Sequence, residues 1–263
     1  MDAFCGEIFE QRYKVHESLA GIGLKMVTRE ALAYIVDRQH KADEVREVVV
    51  HLDGGGCRNI DGKSTPATWA VTVCTVGHDS SYSFACFFGG AVQTSSGEGN
   101  YIGASEHTSN TGELTAQAHA AMFLLGTIGR CARKVPVAVV YDSEVAARLA
   151  MATATSKVNK ELSVVVASLW QLCSMHVPIY WYHTYSHRGD ALNEMADAIV
   201  AAMAYRPELR DEVKRPCSEW LGKMPMHNIK LIYLLYLPPE LRHAYPMIRE
   251  DKRAIEVTPA SRV

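Results

Sequence analysis

The residues of this chain best suited to chemistry are four acids, Asp53, Glu113, Asp142 and Asp197. Asp53 and Asp142 each end a predicted strand, while Glu113 and Asp197 lie on predicted helices. Carboxylates brought together without compensation take up protons, whereas hard divalent cations satisfy oxygen ligands and offset the charge. The set therefore predicts a site for two Mg²⁺ ions, and His187, ten residues before Asp197, is a further candidate for it.

A pair of divalent cations predicts a particular reaction. Ions about 4 Å apart can activate an attacking water and stabilise the leaving 3′ oxygen of an in-line phosphodiester displacement. Such a displacement yields a 5′-phosphate and a 3′-hydroxyl. Residues 47–204 hold nine Lys and Arg against thirteen Asp and Glu, a difference of −4 that two Mg²⁺ ions would offset.

The composition is that of a globular protein without an overall basic field. The chain has 263 residues, of which 48% are hydrophobic, and its formal net charge is −2. Nucleic-acid binding must therefore be local. The seven cysteines form no C-x-x-C pair and are odd in number, which favours a reducing compartment, nuclear or cytoplasmic. No apolar run approaches the ~18 residues of a membrane span, so no membrane partner is expected.

The order of β-rich and helical segments predicts an α/β fold. Apolar periodicity and turn-forming clusters give three strands and then alternating helices and strands. Such an order predicts a mixed five-stranded sheet, three antiparallel strands continued by parallel crossovers, with helices packed on its faces. In chain order the predicted segments are strands Val48–Asp53, Ala67–Val76 and Tyr82–Phe88, helix Thr111–Ile128, strand Val135–Tyr141, helices Glu144–Ala152 and Asn159–Met175, strand Val177–His183 and helix Leu192–Tyr205.

This sheet divides the chain into three parts. Residues 1–46 lack a strand signal and are predicted to be a helical N-terminal extension. Residues 47–204 form the central domain. Residues 205–263 are rich in proline and are predicted to be an irregular, partly helical C-terminal extension.

Several short motifs in the central part resemble those of one family. They are Asp53-Gly54-Gly55, the helix start Asn110-Thr111-Gly112-Glu113-Leu114, Tyr141-Asp142-Ser143, and His187-Arg188-Gly189 followed by Asn193-Glu194-Met195-Ala196-Asp197. Together they resemble a type 1 ribonuclease H domain, most like those associated with retrotransposon reverse transcriptases. The resemblance spans roughly residues 47–204, and its motifs occur in the family's order on the expected elements.

The resemblance implies roles for the acidic set. Asp53, Glu113, Asp142 and Asp197 would hold two Mg²⁺ ions, for which Mn²⁺ can substitute. His187 would lie on a mobile loop and assist proton movement or product departure.

The resemblance also implies a substrate, the RNA–DNA hybrid. Asn59, Ser109 and Asn110 occupy positions that read RNA through its 2′-hydroxyls. Asn159 and Thr108 occupy positions that grip a phosphate of the DNA strand. The arginine that commonly completes this phosphate pocket is replaced by Glu106. With few basic residues, the isolated domain is expected to bind weakly, and a reverse transcriptase domain is the expected partner that holds the hybrid.

Three functions remain open at this point. The leading one is an endonuclease that cuts the RNA strand of RNA–DNA hybrids. A second is a non-catalytic scaffold or nucleic-acid-binding domain of a retroelement polyprotein. A third is a related DNA exonuclease or integrase, which the fold alone does not exclude. Exonucleases of this fold usually carry a D-x-E pair on the first strand, whereas Gly54 and Gly55 follow Asp53 here.

Individual residues also have structural alternatives. Asn59 could form a turn with the residues that follow it, and Asn110 could cap a helix. Trp69, Trp170 and Trp181 lie in apolar segments and are expected in the core rather than as stacking platforms for bases.

Overall fold

The computed structural model describes residues 40–98, 101–128, 134–186 and 190–205. The predicted extensions, 1–46 and 205–263, lie almost entirely outside the described residues, as does His187. Of the first extension only residues 40–46 are described, and they form a turn that leads into a strand.

A mixed sheet of five strands organises the domain. It consists of β1 (Val45–Gly55), β4 (Thr68–Gly77), β5 (Tyr82–Ala91), β6 (Val137–Tyr141) and β7 (Ile179–His183), in the spatial order β5-β4-β1-β6-β7. β1 pairs antiparallel with β4, and β4 with β5, whereas β6 runs parallel to both β1 and β7. The predicted sheet of three antiparallel strands continued by two parallel ones is therefore confirmed.

The first strand is longer than predicted. It begins at Val45 rather than Val48 because its ladder with β4 extends from Val45 opposite Gly77 to Gly55 opposite Thr68. A small hairpin follows that the sequence did not predict, with β2 (Asn59–Ile60) paired to β3 (Lys63–Ser64). Its turn residues Asp61 and Gly62 both have positive φ, 52° and 76°, as a type I′ hairpin turn requires.

Helices cover both faces of the sheet. They are α1 (Ser109–Ile128), α2 (Glu144–Ala150), α3 (Lys160–Ser174) and α4 (Ala191–Tyr205). Helices α1 and α3 pack on one face, where residues such as Leu52, Leu114 and Leu162 are fully buried. Helix α4 packs on the other face against β4, β5 and β1 through Met195 and Ile199. Among the described helices, none combines the length and apolar character needed to cross a bilayer.

The three tryptophans in the described part of the chain belong to the core, as predicted. Trp69 is fully buried and its ring stacks on that of His119, with centroids 3.9 Å apart. Trp170 is buried and meets the partly buried Trp181 edge to face, at 4.9 Å. Three described aromatic residues that could have served as base platforms therefore stabilise the sheet instead.

Two glycines allow the start of α1 to touch the end of β1. A Cβ atom on Gly54 would lie 2.0 Å from the backbone nitrogen of Glu113, and one on Gly112 would lie 2.9 Å from the backbone nitrogen and oxygen of Gly55. Backbone atoms cannot yield at such distances without moving a strand or a helix. The Gly-Gly step after Asp53 and the glycine before Glu113 therefore bring their neighbouring acids together.

We expect Gly54→Ala to lower the free energy of unfolding by at least about 3 kcal/mol, because the added methyl group collides with the main chain of α1. Urea titration followed by circular dichroism measures the loss. Gly97→Ala is the matched control, since a Cβ there meets nothing closer than 4.0 Å. Equal stability of the two variants would contradict the close contact between β1 and α1.

Candidate functional site

Three acidic side chains converge at one end of the sheet. Carboxylate oxygens of Asp53, Glu113 and Asp142 all lie within 4.8 Å of one another. Asp197, on α4, lines the same cleft. The structure thus brings together the four acids that the sequence singled out.

Strand topology accounts for the position of two of these acids. In the parallel pair of β1 and β6, His51 lies opposite Val140. Asp53 and Asp142 each follow two residues later, at the same carboxyl-terminal edge. This edge is the usual ligand-binding edge of a parallel sheet.

The third acid is placed by α1. The helix begins at Ser109, two residues earlier than predicted, so Glu113 lies in its second turn rather than its first. Thr108 caps the helix, because its Oγ1 accepts a hydrogen bond from the Thr111 backbone N–H at 3.2 Å. The alternative role of Asn110 as the cap is therefore wrong. Ser109 also ties the helix to the strand, since its Oγ donates to the Gly54 carbonyl at 3.2 Å.

The acids open into a cleft of about 320 Å³. Arg58 is the one basic side chain that lines it among the described residues, and Ser186 contributes a hydroxyl. Sequence reasoning missed both residues. Arg58 follows β1 by three residues, in the short loop that leads to β2, so its closeness to Asp53 in the chain was the available signal.

Hydrogen bonds orient Asp142. Its Oδ2 accepts from the Ser186 hydroxyl at 2.8 Å and from the Asn193 side-chain amide at 3.4 Å. Its Oδ1 is buried and has no hydrogen-bond partner within the described part of the chain. A buried carboxylate oxygen without a donor is costly, and a cation in the cleft would satisfy it.

Burial and mutual repulsion change the acidity of the two inner carboxyls. The pKa of Asp53 is raised to about 8, first by burial and then by the nearby charges of Asp142 and Asp197. The pKa of Glu113 is raised well above its ordinary value, first by burial and then by Asp53 and Asp142. The Gly54 N–H, which donates to Asp53 Oδ1 at 2.8 Å, only partly opposes the rise. The site thus retains protons unless cations replace them, and its oxygen-only donors fit Mg²⁺ or Mn²⁺.

The predicted substrate residues divide into two groups. Ser109 lines the acidic cleft, and Asn110 is its half-buried neighbour on α1. Asn59 is exposed on β2, paired with Ser64, and does not line the cleft. Thr108 is likewise absent from the cleft lining and is engaged in capping α1.

Asn159 has a structural task. It precedes α3 in the left-handed conformation, with φ of 58°, and it is buried. Its Oδ1 accepts from both the backbone N–H and the hydroxyl of Ser105, at 3.2 and 2.8 Å. The residue therefore joins the loop before α1 to the start of α3, and Glu106 on that loop is exposed.

No family model and no curated protein matches the sequence. Three similar solved structures are ribonuclease H domains. The N-terminal domain of a Mycobacterium tuberculosis protein is 17% identical, with a TM-score of 0.42, over 61% of this chain and 98% of its own. LC11-RNase H1, isolated from compost by a metagenomic approach, is 18% identical, with a TM-score of 0.42, over 62% and 99%. The ribonuclease H domain of prototype foamy virus is 18% identical, with a TM-score of 0.43, over 63% and 98%.

These identities and TM-scores are low. The function of this chain is therefore inferred from its own site residues.

The raised pKa values predict that the metal-free protein becomes less stable as pH rises. The folded state holds protons on Asp53 and Glu113 that the unfolded chain releases at a pH of about 4. The contribution of these protons to the free energy of unfolding is complete below that pH. It is lost as pH rises through the pKa of the groups in the folded state, which is about 8 for Asp53.

We expect the urea concentration at the unfolding midpoint, measured in EDTA, to decrease as pH is raised from 5 to ~8 for the wild-type chain. The decrease should be smaller for Asp53→Asn. Asp61→Asn, in the exposed hairpin turn, should keep the wild-type slope. If the urea midpoint changed equally with pH in the wild-type chain and in Asp53→Asn, Asp53 would hold no proton in the folded state that the unfolded chain releases.

Proposed function

We propose that this chain is a metal-dependent endonuclease that hydrolyses the RNA strand of RNA–DNA hybrids, leaving 5′-phosphate and 3′-hydroxyl ends. The observation that carries the proposal is the convergence of Asp53, Glu113 and Asp142 within 4.8 Å in an open cleft that Asp197 also lines. The raised pKa values of the two inner acids support it, because such a cluster becomes fully charged at neutral pH only when cations occupy it.

In the proposed mechanism the four carboxylates hold two Mg²⁺ ions. Bound there, the pair supplies activation of water and stabilisation of the leaving 3′ oxygen. Ser186 and Asn193 hold Asp142 in one orientation through their hydrogen bonds to Oδ2. Arg58 is positioned to contact a substrate phosphate at the wall of the cleft. His187 is assigned proton movement or product departure on the resemblance of its motif alone.

Selection of RNA is proposed for residues at the start of α1 and at the start of β2. Ser109 supports this assignment, because its side chain borders the acidic cleft. Asn110 follows it in the chain, and Asn59 lies one residue beyond Arg58. A 2′-hydroxyl both donates and accepts hydrogen bonds, so serine and asparagine side chains are suited to recognise it.

The second candidate is a non-catalytic domain that supports a reverse transcriptase. Its supporting observation is electrostatic: Arg58 is the one cation lining the described cleft, so phosphate attraction is weak. A partner domain that holds the hybrid would serve either candidate. The two candidates differ in whether the acidic cluster binds Mg²⁺ and uses it in catalysis.

We expect the full chain to cleave a labelled RNA–DNA hybrid in Mg²⁺, and Asp142→Asn to lower kcat about 1000-fold or more, since metal stabilisation of the transition state is worth several kcal/mol. Gel electrophoresis of the products reports both rate and end chemistry. Asp61→Asn is the matched control and should retain wild-type activity.

An intact hybrid with both wild-type and Asp142→Asn proteins would refute catalysis. Calorimetric titration with Mg²⁺ then tests the scaffold hypothesis. A scaffold is expected to bind no Mg²⁺ at the acidic cluster, so the wild-type and Asp53→Asn proteins should give the same titration. Parallel assays on double-stranded RNA and DNA test the exonuclease and integrase alternatives.

We also expect Arg58→Ala to raise KM for the hybrid about tenfold, because one phosphate contact is lost. For the same reason, the slope of the log binding constant against log salt concentration should decrease in magnitude by about one. Fluorescence anisotropy at several salt concentrations measures the slope. Arg148→Ala is the control, since Arg148 is exposed and pairs with Glu144 on α2. The same slope for wild-type and Arg58→Ala would rule out the phosphate contact.

A further inference from the structure

A fifth acid, Asp190, connects the elements that carry the acidic cluster. It lies immediately before α4, and its Oδ1 accepts from the backbone N–H groups of Leu192 and Asn193 at 3.1 and 3.3 Å. Its backbone carbonyl accepts from Glu194 at 2.9 Å. Asp190 is therefore the N-cap of the helix that carries Asp197.

The same carboxylate reaches β1. Its Oδ1 lies 3.6 Å from Nε2 of His51, a side chain that is only 4% exposed. His51 precedes Asp53 by two residues, so the two side chains lie on the same face of the strand. The pKa of Asp190 is lowered to about 2, foremost by its polar contact with the His51 imidazole, which keeps the carboxylate charged.

Its second oxygen reaches the ends of β6 and β7. Oδ2 accepts from the Thr184 hydroxyl at 3.3 Å, and the Thr184 backbone N–H donates to the Tyr141 carbonyl at 2.8 Å. Tyr141 directly precedes Asp142. One carboxylate thus connects β1, the β6–β7 edge and α4, each of which carries one of the clustered acids.

Asp190 also holds a residue that contacts the acidic cluster directly. Asn193, whose backbone N–H is held by Asp190, donates its side-chain amide to Asp142. Asp197 lies one helical turn beyond Asn193, on the same side of α4. A rotation of the first turn of α4 would move both residues relative to β1 and β6.

We propose that Asp190, held by His51 and Thr184, is a positioning residue for the metal site: it fixes the start of α4 so that Asp197 and Asn193 meet the acids of β1 and β6. The inference rests on the proposed metal site. Mg²⁺ requires near-ideal octahedral geometry, with ligands at about 2.1 Å, so small displacements of a carboxylate weaken its binding. Outer residues that orient metal ligands typically affect metal affinity or activity 10–100-fold, on the order of the effect expected here.

The test uses the full chain and two substitutions that keep the fold. Asp190→Asn keeps a good N-cap residue but removes the charge that meets His51. Thr184→Val removes the hydroxyl with little change in shape, whereas Thr184→Ser restores it. Asp79→Asn is the control, since that carboxylate also accepts a backbone hydrogen bond, from Ser81, but in the β4–β5 turn at the opposite end of the sheet.

We expect Asp190→Asn and Thr184→Val to weaken Mg²⁺ binding about tenfold by calorimetry and to lower kcat by a similar factor at fixed Mg²⁺, with KM for the hybrid within about twofold of wild-type. Thr184→Ser and Asp79→Asn should match the wild-type chain. Urea midpoints in EDTA are measured for each variant, because a merely structural role would change these while leaving Mg²⁺ affinity unchanged.

Wild-type Mg²⁺ affinity in Asp190→Asn, or equal losses in Thr184→Val and Thr184→Ser, would overturn the proposal. Its failure is distinct from that of the nuclease assignment. A wild-type chain that binds Mg²⁺ through Asp53 but leaves the hybrid intact refutes the nuclease, while the affinity comparison still decides the role of Asp190. Absence of Mg²⁺ binding by the wild-type chain would overturn both.

Discussion

Repulsion among carboxylates packed at one edge of a sheet is the constraint on which the rest of this structure depends. Asp53 and Glu113 are buried, and each lies near further acids, so their charged forms are disfavoured. A fold selected for stability alone would separate or replace them. Their retention in an open cleft is explained when the same oxygens serve as ligands of cations.

The surrounding architecture holds these acids against their repulsion. The main-chain contact between Gly54 and α1 fixes one pair, and the parallel pairing of β1 with β6 fixes another. Both contacts are made by backbone atoms, which are less free to relax than side chains. The helix that carries Asp197 packs on the sheet through an apolar face and is capped by Asp190, so its placement combines burial with directed hydrogen bonds.

The sequence allowed prediction of the features that depend on local pattern. The order of strands and helices followed from apolar periodicity, and Asp53 and Asp142 were recognisable as residues close to the carboxyl ends of strands. Contacts between distant loops and side chains could not be predicted in this way. Arg58 and Ser186 lie in loops whose paths are set by tertiary packing, and the contact between His51 and Asp190 joins residues far apart in the chain. Asn159 was predicted to bind phosphate, and the hydrogen bond between its side-chain Oδ1 and the Ser105 hydroxyl is a further pairing without a periodic signal.

The close approach of Gly54 and Gly112 has a consequence for how this protein can change over evolutionary time. Because the strand-to-helix spacing is set by main-chain atoms, exchanges among aliphatic side chains deeper in the apolar layer leave that spacing intact. Stability and chemistry are then partly independent properties. Substitutions in the apolar interior are expected to change the melting temperature well before they disturb the geometry of the acidic cluster.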